Sequence, residues 1–143
     1  MHNLIAHALI QNDGGQILIT RRTMIKRGKE NYEGGRWDIP GGTVEEMEIP
    51  SEAAVREAKE EIALNVSINK VIYEKSNIDN RKNQVFTTLI YSCRAMSPDC
   101  QIDLDLEEHD AYKWMNPNDI LKMKDEELVS YMKDVVMAML ERK

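Results

Sequence analysis

Cysteine is scarce in this chain. Cys93 and Cys100 are the only two. Their spacing matches no zinc pattern, and no second pair completes a tetrahedral set, which excludes a structural zinc site. They are expected to be free thiols and not a disulfide. Long apolar runs are missing too, and nothing approaches the ~18 residues a membrane helix needs. The opening "MHNLIAHALI" has no basic flank and no small-residue cleavage site, so it does not read as a secretory signal. Surplus positive charge is also lacking. Against 25 acidic residues stand 19 Lys and Arg, for a net charge of −6. That excludes a basic footprint for duplex nucleic acid. An acidic protein that handles phosphate needs local basic groups or metal ions to offset repulsion. Repeats, linkers and low-complexity segments are absent. The expectation is one domain over residues 1–143, in the cytoplasm, long enough to bury a core without staples.

What is present is alternation and punctuation. "LIAHALIQ" (4–11) and "QILITRR" (16–22) flank "NDGG", a hairpin signal. The first run is apolar on both alternating faces, as in a strand covered on both sides. Residues 23–36 are polar and without period, so a long loop is expected, and loops of that length are often functional. "WDIPGG" predicts a short strand at 37–39 that Pro40 and two glycines end. A helix fits 50–62, with Pro50 in its first turn and Glu52 at the positive end of its dipole. Strands are predicted over 65–75, 84–94 and 111–115, with an acidic loop at 99–110. "NPNDILKM" starts a helix. From about 126 to 142, Leu128, Met132, Val135, Val136 and Leu140 predict an amphipathic helix, with Met132 and Met137 toward the core. A mixed sheet with helices on its faces is the natural architecture.

Residues 41–64, "GGTVEEMEIPSEAAVREAKEEIAL", hold seven glutamates and one arginine. At 100° per residue Val55, Ala58 and Ile62 face the core, with Ala53 and Ala54 beside the acidic face and leaving room above it. Glu57, Glu60 and Glu61 fall at i, i+3 and i+4, with Cβ atoms ~5–6 Å apart. Like charges so placed destabilise a bare helix by a few tenths of a kcal/mol per pair. A divalent cation with oxygen ligands would offset that. Taken alone, the helix fits either a solvated face or a cation site. Arg56 lies four residues from Glu52 and Glu60, where a guanidinium can fix a carboxylate.

The spacing resembles the Nudix box: Gly42, five residues, Glu48, seven residues, Arg56-Glu57, Ala58, Glu60-Glu61, Ala63, Leu64. All charged positions match. Ala63 stands where the box has a glycine, which puts a left-handed cap under strain. Met47 stands where many members have glycine, and Ala58 is small for the apolar position. "ILITRR", "WDIPGG" and "EHDAYKWM" extend the resemblance over most of the chain. It implies an α/β fold, a Nudix-like α/β/α sandwich with a central mixed sheet. It also implies hydrolysis of a nucleoside diphosphate linked to another group.

On that resemblance Glu57, Glu60 and Glu61 would hold Mg²⁺ or Mn²⁺ with the carbonyl of Gly41, and Arg56 would orient Glu48 or a ligand glutamate. Glu108, ahead of Glu107, would be the distant carboxylate acting as base or further ligand, with a solvated loop as the alternative. Arg22, in preference to Arg21, is the candidate for substrate phosphate, since alternation sends the two to opposite faces. Lys26, Arg27 and Lys29 are lesser candidates. Tyr32 and Trp37 are candidates to stack on a base, with core packing as the alternative for Trp37. His7 is expected to be a hydrogen-bonded core histidine, and His109 is left open. The expected partner is a small-molecule nucleotide, with no membrane. Monomer and homodimer stay open. "ITRR" leans toward (d)NTP substrates giving NMP and pyrophosphate, ahead of ADP-ribose or nucleotide sugars. A non-catalytic nucleotide sensor is the reading from another class.

Overall fold

A computed structural model describes residues 2–96 and 101–141. Strand β1 (His2–Gln11) is the spine. It turns through Asn12–Gln16 into β2 (Ile17–Arg22), where Asn12 Oδ1 accepts from the Gln16 amide at 2.9 Å. A small arm follows, β3 (Ile25–Lys26) and β4 (Lys29–Glu30), paired only to each other. Its turn is Arg27–Gly28, with φ of 53° and 78°. Two successive positive φ values match a tight hairpin turn of the primed class. The segment expected to be irregular therefore carries a hairpin, which its short length hid from any periodicity.

Strand β5 (Trp37–Asp38) pairs with β2, and β6 (Gly41–Thr43) pairs with β1 at Ile5, Ala6 and His7. The expectation that the glycines merely end a strand is corrected by β6. A Cβ on Gly41 would sit 2.3 Å from His7 Cγ, so the backbone lies against that ring only because the side chain is missing. Helix α1 (Pro50–Ile62) follows. Its N-cap is Ile49, which makes no side-chain cap bond, while Pro50 at the first position has no amide to satisfy.

Strands β7 (Val66–Asp79) and β8 (Gln84–Ala95) form a long hairpin. β7 runs on through Asp79, past the expected end at 75, and Asp79 Oδ1 accepts from the amides of Arg81 and Lys82 to close the bend. β8 runs parallel to β1 over ten residue pairs. Strand β9 (His109–Met115) lies on β2, followed by α2 (Pro117–Leu121) and α3 (Met132–Glu141).

The sheet is mixed, with path β5–β2–β1–β8–β7. Period-two alternation splits its side chains between two cores. Ala6, Ala8, Ile10 and Leu18 share one buried cluster with Ala53, Ala54, Ala58 and Ile62 of α1. Leu9, Ile17, Ile19 and Ile90 share the other with Met132, Val135 and Val136 of α3. This is the expected α/β/α sandwich. Small residues on both sides allow α1 to lie close to the sheet, which accounts for Ala58. Ala53 and Ala54 are fully buried in the sheet-facing cluster, and so face the core and do not flank the acidic face as expected.

The last helix is shorter than its pattern. Asp125–Glu127 is a 3-10 turn, and Leu128 bridges to Trp37. The Val129 amide donates to Trp37 O at 3.0 Å and the Ser130 amide to Glu33 Oε2 at 3.1 Å. Those tertiary bonds take the backbone groups a helix would use. Met139, not Met137, is buried. Cys93 is a buried free thiol whose pKa burial raises to about 12. Cys100 lies outside the described residues. No described helix is long and apolar enough to cross a membrane.

Candidate active site

Arg56 organises one side of α1. Its Nε and Nη2 grip both oxygens of Glu48 at 2.8 and 3.0 Å. Nη1 donates to Glu57 Oε1 at 3.0 Å and to Glu60 Oε2 at 3.2 Å, and Nη2 also reaches Thr43 O at 3.1 Å. The fork is bidentate on Glu48, the strongest geometry a guanidinium offers. Those hydrogen bonds pull the Glu48 pKa down to about 2. They raise that of Arg56, chiefly through Glu48. Every carboxylate on this side has a partner.

Glu61, one helical turn on from Glu57, has a different environment. It is 3% exposed. Its Oε2 has no hydrogen-bond partner, and its Oε1 lies 3.4 Å from His109 Nδ1, which also makes no hydrogen bond. Burial, then the neighbouring Glu57, push its pKa up to about 11. Two ionised carboxylates repel, so Glu61 buried beside Glu57 needs a proton or a cation. His109 is buried, and desolvation lowers its pKa to about 4, so the ring is neutral. A buried carboxyl without a partner is costly.

The loop before β9 is tied to the end of α1. The Asp103 and Asp105 amides donate to Ile62 O and Glu61 O at 3.1 and 2.8 Å, using carbonyls that the helix leaves free. That tie delivers Glu108 and His109 to Glu61. All three line a cavity of about 340 Å³ with Gly41, Gly42, Arg22, Lys26, Asp38 and Tyr131. Its floor is a polar network in which Tyr131 Oη donates to Asp38 Oδ1. His7 Nδ1 bonds Ile39 O at 2.8 Å, and Asp38 Oδ2 accepts from Arg22 Nη1 at 3.1 Å.

These residues fit a hard cation. The unpartnered Glu61 oxygen asks for positive charge, and Glu57 adjoins it. Gly42 leaves the approach open: a Cβ there would lie 2.7 Å from the Glu57 carboxyl. Among the described residues no three His, Cys, Asp or Glu form a ready-made cage. The set suits an ion that takes other ligands from water, backbone and phosphate, as Mg²⁺ does.

The NUDIX domain model matches residues 1–137. The chain belongs to the Nudix family. It is 31% identical over 122 residues to the nucleoside triphosphatase NudI of Escherichia coli K12, covering 79% of this chain and 81% of that protein. In fold it is similar to the MutT protein of Methanosarcina mazei Go1, with TM-score 0.78, 23% identity, and 99% and 96% of the two chains covered. It is also similar to the Nudix domain of Shewanella oneidensis NrtR, solved with ADP-ribose, with TM-score 0.71, 18% identity, and 99% and 88% covered.

Within this Nudix frame the expected site residues separate. Glu61, Gly41 and Glu108 line the cavity, while Glu57 does not line it and lies against Gly42, which does. Glu60 turns to Arg56 and its side chain is 57% exposed. Glu107 is exposed, and its backbone is what is held: its carbonyl accepts from Thr23 Oγ1 and its amide donates to Asp105 Oδ1, each at 3.0 Å. Arg21 and Arg22 do face opposite ways. Arg21 pairs with Asp110 at 2.7 Å and stacks over Trp37. Trp37 also meets Lys113 and does not line the cavity. Arg22 lines it, yet three of its five donors are committed to Tyr32 O, Asp38 and Asn31 at 2.8, 3.1 and 3.1 Å. It works as a clasp between the arm and the floor. Asp38 and Tyr131 were not anticipated. Asp38 lies next to the Trp37 that attracted notice, but Tyr131 gave no local signal.

Two box departures now have a conformation. Ala63 has φ 61°, ψ 24°, the left-handed cap that the usual glycine takes freely. Met47 has φ 64°. Both residues hold glycine-like backbone with a Cβ attached.

Proposed function

We propose that this chain is a single-domain, divalent-metal-dependent pyrophosphohydrolase that converts a nucleoside triphosphate to the monophosphate and pyrophosphate. The observation that carries this is the buried, unpartnered carboxyl of Glu61 beside a cavity that also holds Glu108 and Lys26. A bound Mg²⁺ or Mn²⁺ supplies charge neutralisation at phosphate oxygens and makes water a better nucleophile. Glu61 and Glu57, with the Gly41 carbonyl, are the residues to hold it. Arg56 keeps Glu57 and Glu48 in fixed rotamers, so the acidic side of α1 needs no reorganisation when substrate arrives. Glu108 is the candidate to take the proton of the attacking water. Neutral His109 packs behind Glu61 and shields it from solvent.

The triphosphate reading is supported by the likeness to a nucleoside triphosphatase at 31% identity over most of both chains. ADP-ribose stays as the second reading, because a structural relative was solved with it. A nucleotide panel with Mg²⁺ separates them. Release of pyrophosphate and NMP from an NTP, lost in Glu61→Gln, is the expected result. AMP and ribose phosphate from ADP-ribose, with no NTP turnover, would select the second reading. Tight binding without turnover of any nucleotide would make the domain a sensor.

A further inference from the structure

The carboxylates of this cavity leave its basic side to be assigned. Among the described residues two cations line it, Arg22 and Lys26. Three of the five N–H donors of Arg22 are already held, by Tyr32 O, Asp38 and Asn31, and they fix its guanidinium in place. Lys26 has a short contact with one group, Glu108, at 2.8 Å, and both side chains are partly exposed, 28% and 23%.

We propose that Lys26 is a phosphate-binding residue held in reserve by Glu108. A polyphosphate anion entering the cavity takes the Lys26 ammonium from Glu108 and leaves that carboxylate free. This rests on the proposed function, and it names what prepares that site for substrate.

The two partners sit on supports of different stiffness. Glu108 is anchored to α1: its amide donates to Asp105 O at 3.0 Å, and the Asp105 amide donates to Glu61 O at 2.8 Å. Lys26 is on the β3–β4 arm, which pairs with no strand of the main sheet. The arm is tied at its base, where the Asn31 amide donates to Met24 O and Asn31 Nδ2 to Thr23 O, each at 2.9 Å. Among the described residues the ion pairs between its tip and the body are Lys26–Glu108 and the longer Arg27–Glu108 approach of 4.0 Å. A partly exposed ion pair is weak. An ammonium on a flexible stem is a mobile point charge with three donors, and a multiply charged phosphate chain competes well with one carboxylate. The exchange also leaves the Glu108 oxygens open to accept a hydrogen bond from water.

A double-mutant cycle tests the exchange. Binding of inorganic triphosphate, metal-free and at low ionic strength, is measured by calorimetry on the whole chain for wild type, Lys26→Met, Glu108→Gln and the double variant. Circular dichroism confirms that each variant is folded. Lys26→Met is expected to weaken binding about tenfold, and Lys26→Arg to keep most of it. Glu108→Gln is expected to tighten binding about fivefold when Lys26 is present and not in the Lys26→Met background. In turnover with Mg²⁺, Lys26→Met raises KM about tenfold and changes kcat less than about threefold. Unchanged triphosphate affinity in Lys26→Met overturns the proposal. So does equal tightening by Glu108→Gln in both backgrounds, which marks a general charge effect. Absence of any nucleotide turnover by wild type defeats the proposed function, and the metal-free cycle still judges the exchange.

Discussion

Helix α1 and the turn before it carry two groups of carboxylates that solve one problem in opposite ways. On the Arg56 side, Glu48, Glu57 and Glu60 share one guanidinium and stay partly hydrated. On the Glu61 side a carboxyl is buried with no basic side chain hydrogen-bonded to it among the described residues. A single turn of helix separates a finished ion network from an unfinished one. The lesson is that acidic density alone does not mark a metal site. What marks it is a carboxylate placed where neither water nor a basic side chain can balance it.

The sharpest way to break this contrast is Glu61→Gln. The amide keeps the volume and removes the charge. Turnover should fall roughly 100- to 1,000-fold, while the metal-free protein should be no less stable at pH 8. A thermal melt beside the kinetic assay checks both halves.

Gly41→Ala attacks the support common to both groups. Its Cβ would meet the His7 ring at 2.3 Å and Ala6 O at 2.6 Å. A destabilisation of about 3 kcal/mol in urea unfolding is expected. On the finished side, Arg56→Met should destabilise by on the order of 2 kcal/mol, since charged hydrogen bonds vanish while solvent screens part of the repulsion left behind. Lower kcat should accompany it, because Glu57 loses its fixed rotamer.

Proton linkage sharpens the contrast further. Folded Glu61 keeps its proton up to about 11 against an ordinary value of 4.5. The folded state thus binds more protons than the unfolded chain, and metal-free stability should fall as pH rises between those values. His109, lowered to about 4 from 6.5, has the opposite slope, but only below about 6.5. Between pH 7 and 8 the Glu61 effect leads, and toward pH 9 the buried Cys93 thiol, raised from 9.0 to about 12, adds a slope of the same sign. The gain in melting temperature from Mg²⁺ should therefore grow from pH 7 to 9, as the ion displaces the proton.

The smallest effect concerns the strained caps. Ala63→Gly relieves a left-handed alanine and adds unfolded-state freedom, so a net gain of about 0.5–1 kcal/mol is expected by urea unfolding. Met47→Gly should behave alike, and neither should change kcat.

Much of this was legible in the residues. The box is read from charge spacing because a 3.6-residue period fixes which side chains share a face, and the boundaries of α1 matched the expected 50–62. The two-sided burial of β1 followed from its apolar run. Less accessible were features made by distant pairings. Tyr131 meets Asp38 and His7 across more than ninety residues, and no local pattern encodes that. Arg22 was read correctly for its face, yet its commitments to Asn31, Tyr32 and Asp38 are tertiary. The late start of α3 was hidden for the same reason, since its apolar spacing extends through Leu128 while Trp37 captures the backbone there. Glycine-rich β6 looked like a terminator because Gly and Pro usually are.

The most direct measurement is a calorimetric Mn²⁺ titration of wild type and Glu61→Gln at pH 8, repeated in buffers of different ionisation enthalpy. The account predicts saturable binding by wild type with release of about one proton, and loss of both in Glu61→Gln. Equal binding by the two proteins, or binding by wild type without proton release, would contradict it.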